Sequence, residues 1–360
     1  MEIIKNNKNT VFDGCDFVLR LEPKRKIKLL QLTDMQIIDA SQRRTSDRLR
    51  VDEINAWRTE NFDALCGDQI RSLVAQTTPD MIFITGDITY GSFDDNGNTL
   101  RYICTLMDSF KIPWAAVFGN HDNESEMGVD WQCEQLEKSE YCMFRRGEVT
   151  GNSNYSIGIA VGGELVRVLH MVDSNGCVTK RGIYDDQIEL IKANSNAIKS
   201  AQGRVVSAFV ACHIPVDCFA KAEMAKGYCT DERRFYSIGV DVKADKGDFG
   251  CKYEDPSKSI IKTPDGFLPL LRECGVDGFF VGHCHKINTC IEYDGIKWVY
   301  GLKTGQYDYQ NLGQLGGTLI TLEEGDFAVT HIPALARCAK YPKHAPMFKE
   351  LFSEDEYIIE

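Results

Sequence analysis

The feature that most narrows the fold is a pattern that recurs five times: an apolar run ending abruptly in residues able to bind a metal or move a proton. The run from Ile27 ends in Asp34, the run from Met81 in Asp87, and the run from Trp114 in Asn120, His121 and Asp122. The run from Val205 ends in His213, and the run from Val276 in His283 and His285. Short, nearly continuous apolar runs read as strands covered on both faces. In open α/β sheets, ligands gather beyond the carboxyl ends of such strands. Taken alone, Gly119-Asn-His-Asp122 would equally suit a polar turn with Asn120 or Asp122 capping a helix; its recurrence at other strand ends favours the site reading.

Between these runs the spacing turns helical. Leu49, Val51, Ile54, Trp57, Leu65, Ile70 and Leu73 recur at helical intervals over 46–76, behind a Ser46/Asp47 cap. Further helices are expected near 98–110, 128–140, 184–201 and 264–274. Residues 1–25 read as an edge strand and a basic turn, 154–159 and 165–173 as strands, and 289–333 as antiparallel strands. Residues 216–262 break the rhythm: they are polar, rich in Lys, Asp and Gly, and long for a connection, as lids and functional loops are. The alternation predicts an α/β fold of sheet layers flanked by helices. It predicts one domain over 1–335 with an insertion at about 216–262, and a peripheral tail over 336–360.

The 360 residues, 43% of them hydrophobic, suffice for a large core. A net charge of −12 argues against a protein that coats nucleic acid or an anionic membrane. It leaves room for a small anionic substrate, because a bound cation reverses the local sign. No apolar run reaches membrane-spanning length, and the segment MEIIKNNKNT lacks the apolar core of a signal peptide. Fourteen scattered cysteines, several inside apolar runs (Cys66, Cys104, Cys212, Cys274), read as reduced thiols in a cytoplasm.

Carboxylate, amide oxygen and imidazole together suit first-row transition ions better than calcium or magnesium alone. The donors exceed what one tetrahedral ion needs, so two ions sharing one carboxylate is the economical reading. The ordered set D-x-H, G-D, G-N-H-D, H and G-H-x-H, each at a strand end, resembles the calcineurin-like metallophosphoesterase superfamily over roughly residues 27–310. That resemblance implies a layered α/β/β/α sandwich of two mixed sheets flanked by helices. It implies that Asp87 bridges two metal ions, with Asn120, His213 and His283 on the second and Asp34 and His285 on the first. It also implies that His121 contacts the phosphate or protonates the leaving oxygen as a general acid, with Asp122 orienting it.

One position departs from that pattern: Gln36 stands where the family's D-x-H has histidine, and a neutral amide is a poorer ligand. Tyr90 follows Asp87 by three residues, and the purple acid phosphatase branch looks similar on both counts, lacking that histidine and using a G-D-x-x-Y tyrosine. A phenolate with a free pKa near ~10 needs a strongly acidic partner. The expectation is a first site of Asp34, Asp87, Tyr90 and His285 holding Fe(III), beside a divalent Fe, Zn or Mn. The alternative is a Tyr90 that only packs beside the loop, with Gln36 binding weakly or through water.

Other polar residues divide between site and scaffold. His170 reads as a core histidine, His331 and His344 as unrelated to the site, and Cys284 as turned away from it by alternation. Asn154 and Tyr155 either line the substrate pocket or merely start a strand, and Asp39, Arg43 and Arg44 either meet substrate or sit in a solvated loop. The expected activity is hydrolysis of phosphate mono- or diesters by metal-bound hydroxide, on a small phosphorylated substrate or a phosphoprotein. The alternative is a metal-poor scaffold using the same fold for binding.

Overall fold

The computed structural model describes residues 1–5, 8–23, 26–38, 62–91, 94, 96–176, 179–227, 235–236, 253–254, 260–305, 314–323 and 325–334. In chain order the strands are β1 (Glu2–Lys5), β2 (Phe17–Leu21), β3 (Ile27–Leu32), β4 (Met81–Thr85), β5 (Trp114–Val117), β6 (Tyr155–Val161), β7 (Glu164–Met171), β8 (Ala208–Ala211), β9 (Phe235–Tyr236), β10 (Tyr253–Glu254), β11 (Val276–Val281), β12 (Cys290–Tyr293), β13 (Ile296–Tyr300), β14 (Gly316–Glu323) and β15 (Asp326–Pro333). The helices are α1 (Phe62–Thr77), α2 (Asn98–Ser109), α3 (Gly128–Lys138), α4 (Asp185–Gln202), α5 (Cys218–Ala225) and α6 (Phe267–Glu273).

The five apolar runs become β3, β4, β5, β8 and β11. Every residue of β4, β5 and β8 is buried, as continuous apolar sequence requires of strands covered on both faces. One sheet has the order β15-β14-β3-β4-β5, with β3, β4 and β5 parallel. The other has the order β1-β2-β6-β7-β8-β11-β13-β12, with β7, β8, β11 and β13 parallel. Both sheets are mixed. Parallel pairing puts the carboxyl ends of β3, β4 and β5 on one edge, and those of β8 and β11 likewise.

The two sheets face each other across aromatic rings. Phe83 of β4 meets Phe280 of β11 at 5.7 Å between centroids, and Phe209 of β8 meets Phe280 at 5.0 Å and Phe327 of β15 at 4.6 Å. All four are buried, and each such ring contributes about 1.5–3 kcal/mol relative to exposure. Strand alternation then splits the second sheet between two clusters. Phe209, Ala211 and Phe280 pack toward the first sheet, while Val210, Cys212, Phe279 and Val281 pack with α4, α5 and α6. Helices α1, α2 and α3 pack with the first sheet. The result is the expected α/β/β/α sandwich.

Two elements lie outside the expectations. Residues 1–25 supply two strands rather than one: β1 is the sheet edge and β2 pairs inside it, parallel to β6. The segment 216–262 begins with the helix α5, whose Cys218, Phe219, Ala220 and Ala222 are buried. Its two ends meet in a bridge between Val216 and Ile261, and the Ile261 amide donates to the Pro215 carbonyl at 2.9 Å. Inside it β9 and β10 form a short antiparallel pair. Most of that segment, the Ser46/Asp47 cap with the first part of the predicted 46–76 helix, Asp39, Arg43, Arg44, and the tail with His344 lie outside the described residues. Among the described residues no helix is long and apolar enough to cross a membrane, and the ten described cysteines are all buried and form no disulfide with one another.

His170 lies in β7, within hydrogen-bond reach of the Ser156 hydroxyl at 2.8 Å. Burial lowers its pKa from 6.5 to about 4. The unfolded chain therefore takes up this proton near pH 6.5 and the folded chain only near 4, so protonation favours unfolding. The stability that neutral His170 supports is present above about pH 6.5 and is lost as pH falls through about 4. Between pH 7 and 4 the urea midpoint of His170→Gln is expected to fall less than that of the parent. Equal falls would remove His170 as a cause of acid lability.

Candidate metal centre

Beyond the strand ends the backbone turns sharply. Asp34, Gln36, Asp87 and His283 all take positive φ, at 50, 46, 49 and 70°. Non-glycine residues hold that conformation at a cost that clusters at functional sites. The glycines of the motifs are there for contact. A Cβ on Gly119 would strike the Asp87 side chain and backbone amide, and one on Gly282 would strike Thr33 and the Asp34 carboxylate. Only glycine lets these loops approach so closely.

Two groups of donors result. Asp87, His213 and His283 present ligand atoms within 4.8 Å of one another, and so do Asp34, Asp87 and His285. Asp87 belongs to both. Its Oδ2 lies 3.2 Å from His213 Nε2, and its Oδ1 accepts the His121 amide at 2.9 Å. Asp34 Oδ1 lies 3.1 Å from His285 Nε2, while its Oδ2 accepts the His283 amide at 2.9 Å and the Thr33 hydroxyl at 2.7 Å.

The histidines are held in useful tautomers. His213 Nδ1 lies 2.8 Å from the Thr85 carbonyl, which only accepts, so Nδ1 carries the proton. That leaves Nε2 for the centre of the cluster, the arrangement found behind metal-ligating histidines. His283 Nδ1 lies 3.2 Å from it. Asn120 adds an independent sign: its Oδ1 is buried and accepts no hydrogen bond among the described residues. A buried amide oxygen left unbonded is costly unless a cation takes it. With Asp87 shared between two donor groups, these residues fit a pair of cations.

The electrostatics agree. Burial raises the Asp34 carboxyl, but the hydrogen bond and charge of His285 and the charge of His213 outweigh it and hold the group below the usual carboxylate range. Burial likewise raises Asp87, and the charges of His213 and His121 outweigh it. Burial alone would lower His213; the Asp87 carboxylate instead pushes it up to about 9. Desolvation of its ring, and then the charge of His213, push His283 down to about 3.

His121 lies at the margin of this cluster, its side chain 20% exposed. Its Nδ1 is 2.8 Å from Glu124 Oε2, and its ring is stacked on Tyr90 at 4.3 Å with 20° between planes. The expectation that Asp122 orients His121 is corrected. Asp122 Oδ2 accepts the Gly119 amide at 2.7 Å and its Oδ1 the Thr89 amide at 2.9 Å, so it fastens the loop backbone. Burial and then the charge of Asp87 raise it to about 7. The partner of the imidazole is Glu124, which the His-x-x-Glu spacing on a tight turn could have revealed.

Gln36 is close to the cluster, its Nε2 3.4 Å from Asp87 Oδ2. Its Oε1 accepts from Lys303 Nζ at 2.6 Å, and Lys303 also donates to the Asp34 carbonyl at 2.9 Å. Lys303, just past the end of β13, was missed in the sequence, although it too ends an apolar strand. Asn154 and Tyr155 are scaffold. Asn154 accepts the Asp173 amide at 3.0 Å, and the Tyr155 hydroxyl donates to the Ala116 carbonyl at 2.6 Å. Cys284 is buried in the cluster that includes α4, α5 and α6, and His331 lies between the Thr318 hydroxyl and the Asn288 carbonyl.

Residues 27–286 match the family model of the calcineurin-like phosphoesterases. A probable inactive purple acid phosphatase of Arabidopsis thaliana, number 29, is 24% identical over 327 residues, covering 83% of this chain and 76% of that protein. A probable cyclic nucleotide phosphodiesterase of Xenorhabdus bovienii is 29% identical over 96 residues, covering 27% of this chain and 34% of that protein. Among solved structures, a dimetal phosphatase from Danio rerio aligns over 88% of this chain and 98% of its own, at 11% identity and a TM-score of 0.48.

Elemental analysis after dialysis gives the direct check on the shared carboxylate. Asp87→Ala is expected to lose both ions and Asn120→Ala one of them; two ions retained by folded Asp87→Ala would refute the sharing.

Proposed function

The chain belongs to the calcineurin-like phosphoesterase family, and we propose that it hydrolyses phosphate mono- or diesters at a pair of metal ions. Asp34, Asp87 and His285 would hold one ion, and Asp87, Asn120, His213 and His283 the other. The observation that carries this reading is Asp87, within reach of two donor groups, next to the unbonded buried oxygen of Asn120. When bound, such a pair supplies positive charge to the phosphoryl oxygens and a nucleophile that forms near neutral pH.

The chain's own residues do the rest. Glu124 accepts from His121 Nδ1, which leaves Nε2 as the ring atom that meets the substrate. Tyr90 fixes the plane of the ring by stacking. Protonated His121 then gives its Nε2 proton to the leaving oxygen as the ester bond breaks. Asp122 keeps the loop that carries Asn120 and His121 in register with Asp87. The substrate is a small phosphorylated molecule or a phosphoprotein; the net charge of −12 speaks against nucleic acid. The ten described cysteines, buried and in no disulfide with one another, support a reducing compartment such as the cytoplasm.

The identity of the first ion turns on Tyr90. As a phenolate ligand it calls for Fe(III), beside a divalent Fe, Zn or Mn; as the stacking partner of His121 it leaves both ions divalent. The ring contact at 4.3 Å supports the second role. The competing reading for the whole chain is a metal-poor scaffold. The Arabidopsis relative is named probable inactive, and Gln36, its oxygen already bonded to Lys303, is where such a route would begin. Metal content together with hydrolysis of an aryl phosphate separates the two: about two ions and turnover support the enzyme, while neither supports the scaffold.

His121→Ala is expected to keep its metal and slow turnover by roughly 10²–10⁴-fold, most for poor leaving groups. Glu124→Ala should show the same leaving-group dependence with a smaller loss. An equal loss for every leaving group would assign His121 to phosphate binding. Protein purified without chelator is expected to be colourless; a visible tyrosinate-to-iron band that Tyr90→Phe abolishes would instead place ferric iron at the first site.

A further inference from the structure

The turn that follows β7 meets both Asn120 and the peptide group after His213. A Cβ on Gly176 would lie 2.9 Å from Asn120 Cβ and 3.1 Å from Ile214 Cδ1, so only glycine lets the chain come this close. Gly176 also holds φ at 135°, which residues with side chains rarely adopt. Two residues earlier, the buried Ser174 hydroxyl accepts the Ile214 amide at 2.9 Å, which belongs to the peptide group leaving His213. A carboxylate anchors the turn. The Oδ1 of buried Asp173 accepts the Asn175 amide at 2.8 Å, and its Oδ2 accepts the Asn152 amide at 2.7 Å. Asn175 Nδ2 donates to the Gly182 carbonyl at 3.1 Å, and the Gly182 amide donates to the Ser174 carbonyl at 2.9 Å. From α4, Gln187 Nε2 donates to the Asp173 carbonyl at 2.6 Å. A buried network of this kind fixes one backbone arrangement.

We infer that the turn Asp173–Gly176 seats the ligands of the second ion: Gly176 positions Asn120, Ser174 positions His213, and both set that ion's affinity through those ligands. This rests on the two-ion reading above. Partners behind metal ligands hold them in their binding orientation, and losing one costs roughly 10–100-fold in metal affinity. His213 is also held by the Thr85 carbonyl at its Nδ1. Asn120 Oδ1 accepts no hydrogen bond among the described residues, so its aim depends on what the side chain packs against. Gly176 is that backstop.

The experiment is Mn²⁺ binding at stepped free concentrations, read by elemental analysis; the binding step that Asn120→Ala removes marks the second site. Gly176→Ala is expected to weaken that step by roughly 10–100-fold and to leave the other step as in the parent. Gly163 supplies the control, with φ at 93° and no atom within 4 Å of an added Cβ among the described residues. Gly163→Ala carries backbone strain alone and should bind both ions as the parent does. Ser174→Ala should weaken the same step as Gly176→Ala, and it decides the matter if Gly176→Ala does not fold. An unchanged second step in the folded variants, or an equal weakening of both steps, overturns the inference while leaving the two-ion site standing. A parent chain with no step that Asn120→Ala removes overturns the inference and the two-ion reading together.

Discussion

One carboxylate shared between two groups of donors is the constraint on which the rest of this structure depends. Asp87 can serve both groups only if strand ends from two different sheets arrive at one point. That requires the sheets to face each other with their parallel strands ending on the same side. The aromatic contacts of Phe83, Phe209, Phe280 and Phe327 fix that facing. The left-handed backbone at Asp34, Asp87 and His283 is the local cost of bringing side chains together where the strands have run out. The cost is borne by a scaffold whose strands are buried on both faces.

The surroundings of Asp87 divide into residues that present atoms to the cluster and residues that hold them still. Thr85 fixes the His213 tautomer through its carbonyl, and Thr33 fixes the Asp34 carboxylate. Asp122 fixes the loop, and Glu124 with Tyr90 fixes the His121 ring. Thr85, Thr33, Asp122 and Glu124 hold through hydrogen bonds, and Tyr90 through ring stacking. This gives the arrangement its definition before any ion arrives, and pre-placed groups lose little freedom when they bind.

The donors themselves were legible because chemistry and fold write the same signal there. A buried strand must be apolar, so a polar residue directly behind a glycine at its end has few reasons to be there other than function. The holders were not legible. Glu124 could be found only by looking for the His-x-x-Glu spacing of a tight turn, and the contacts of Lys303 with Gln36 and the Asp34 carbonyl appear only in the folded chain. Asp122 misled because it adjoins His121 in sequence, yet on a tight turn the third neighbour reaches the ring and the next one turns under the backbone. Asn154 and Tyr155 stayed open between pocket and scaffold, because only the folded chain shows their polar atoms serving main-chain groups of neighbouring segments. Helix α5 was hidden by the polar composition of the long segment that it opens, and β2 by its nearness to the edge.

The bridge between Val216 and Ile261 joins the two ends of that long segment just after the strand that presents His213. A stretch of chain tied off at its base behaves like a cartridge: what lies beyond the tie can lengthen, shrink or be exchanged while the strand behind it keeps its register. Descent could therefore rewrite the segment beyond the tie at little risk to the strand that presents His213, so the two parts are free to evolve at different speeds.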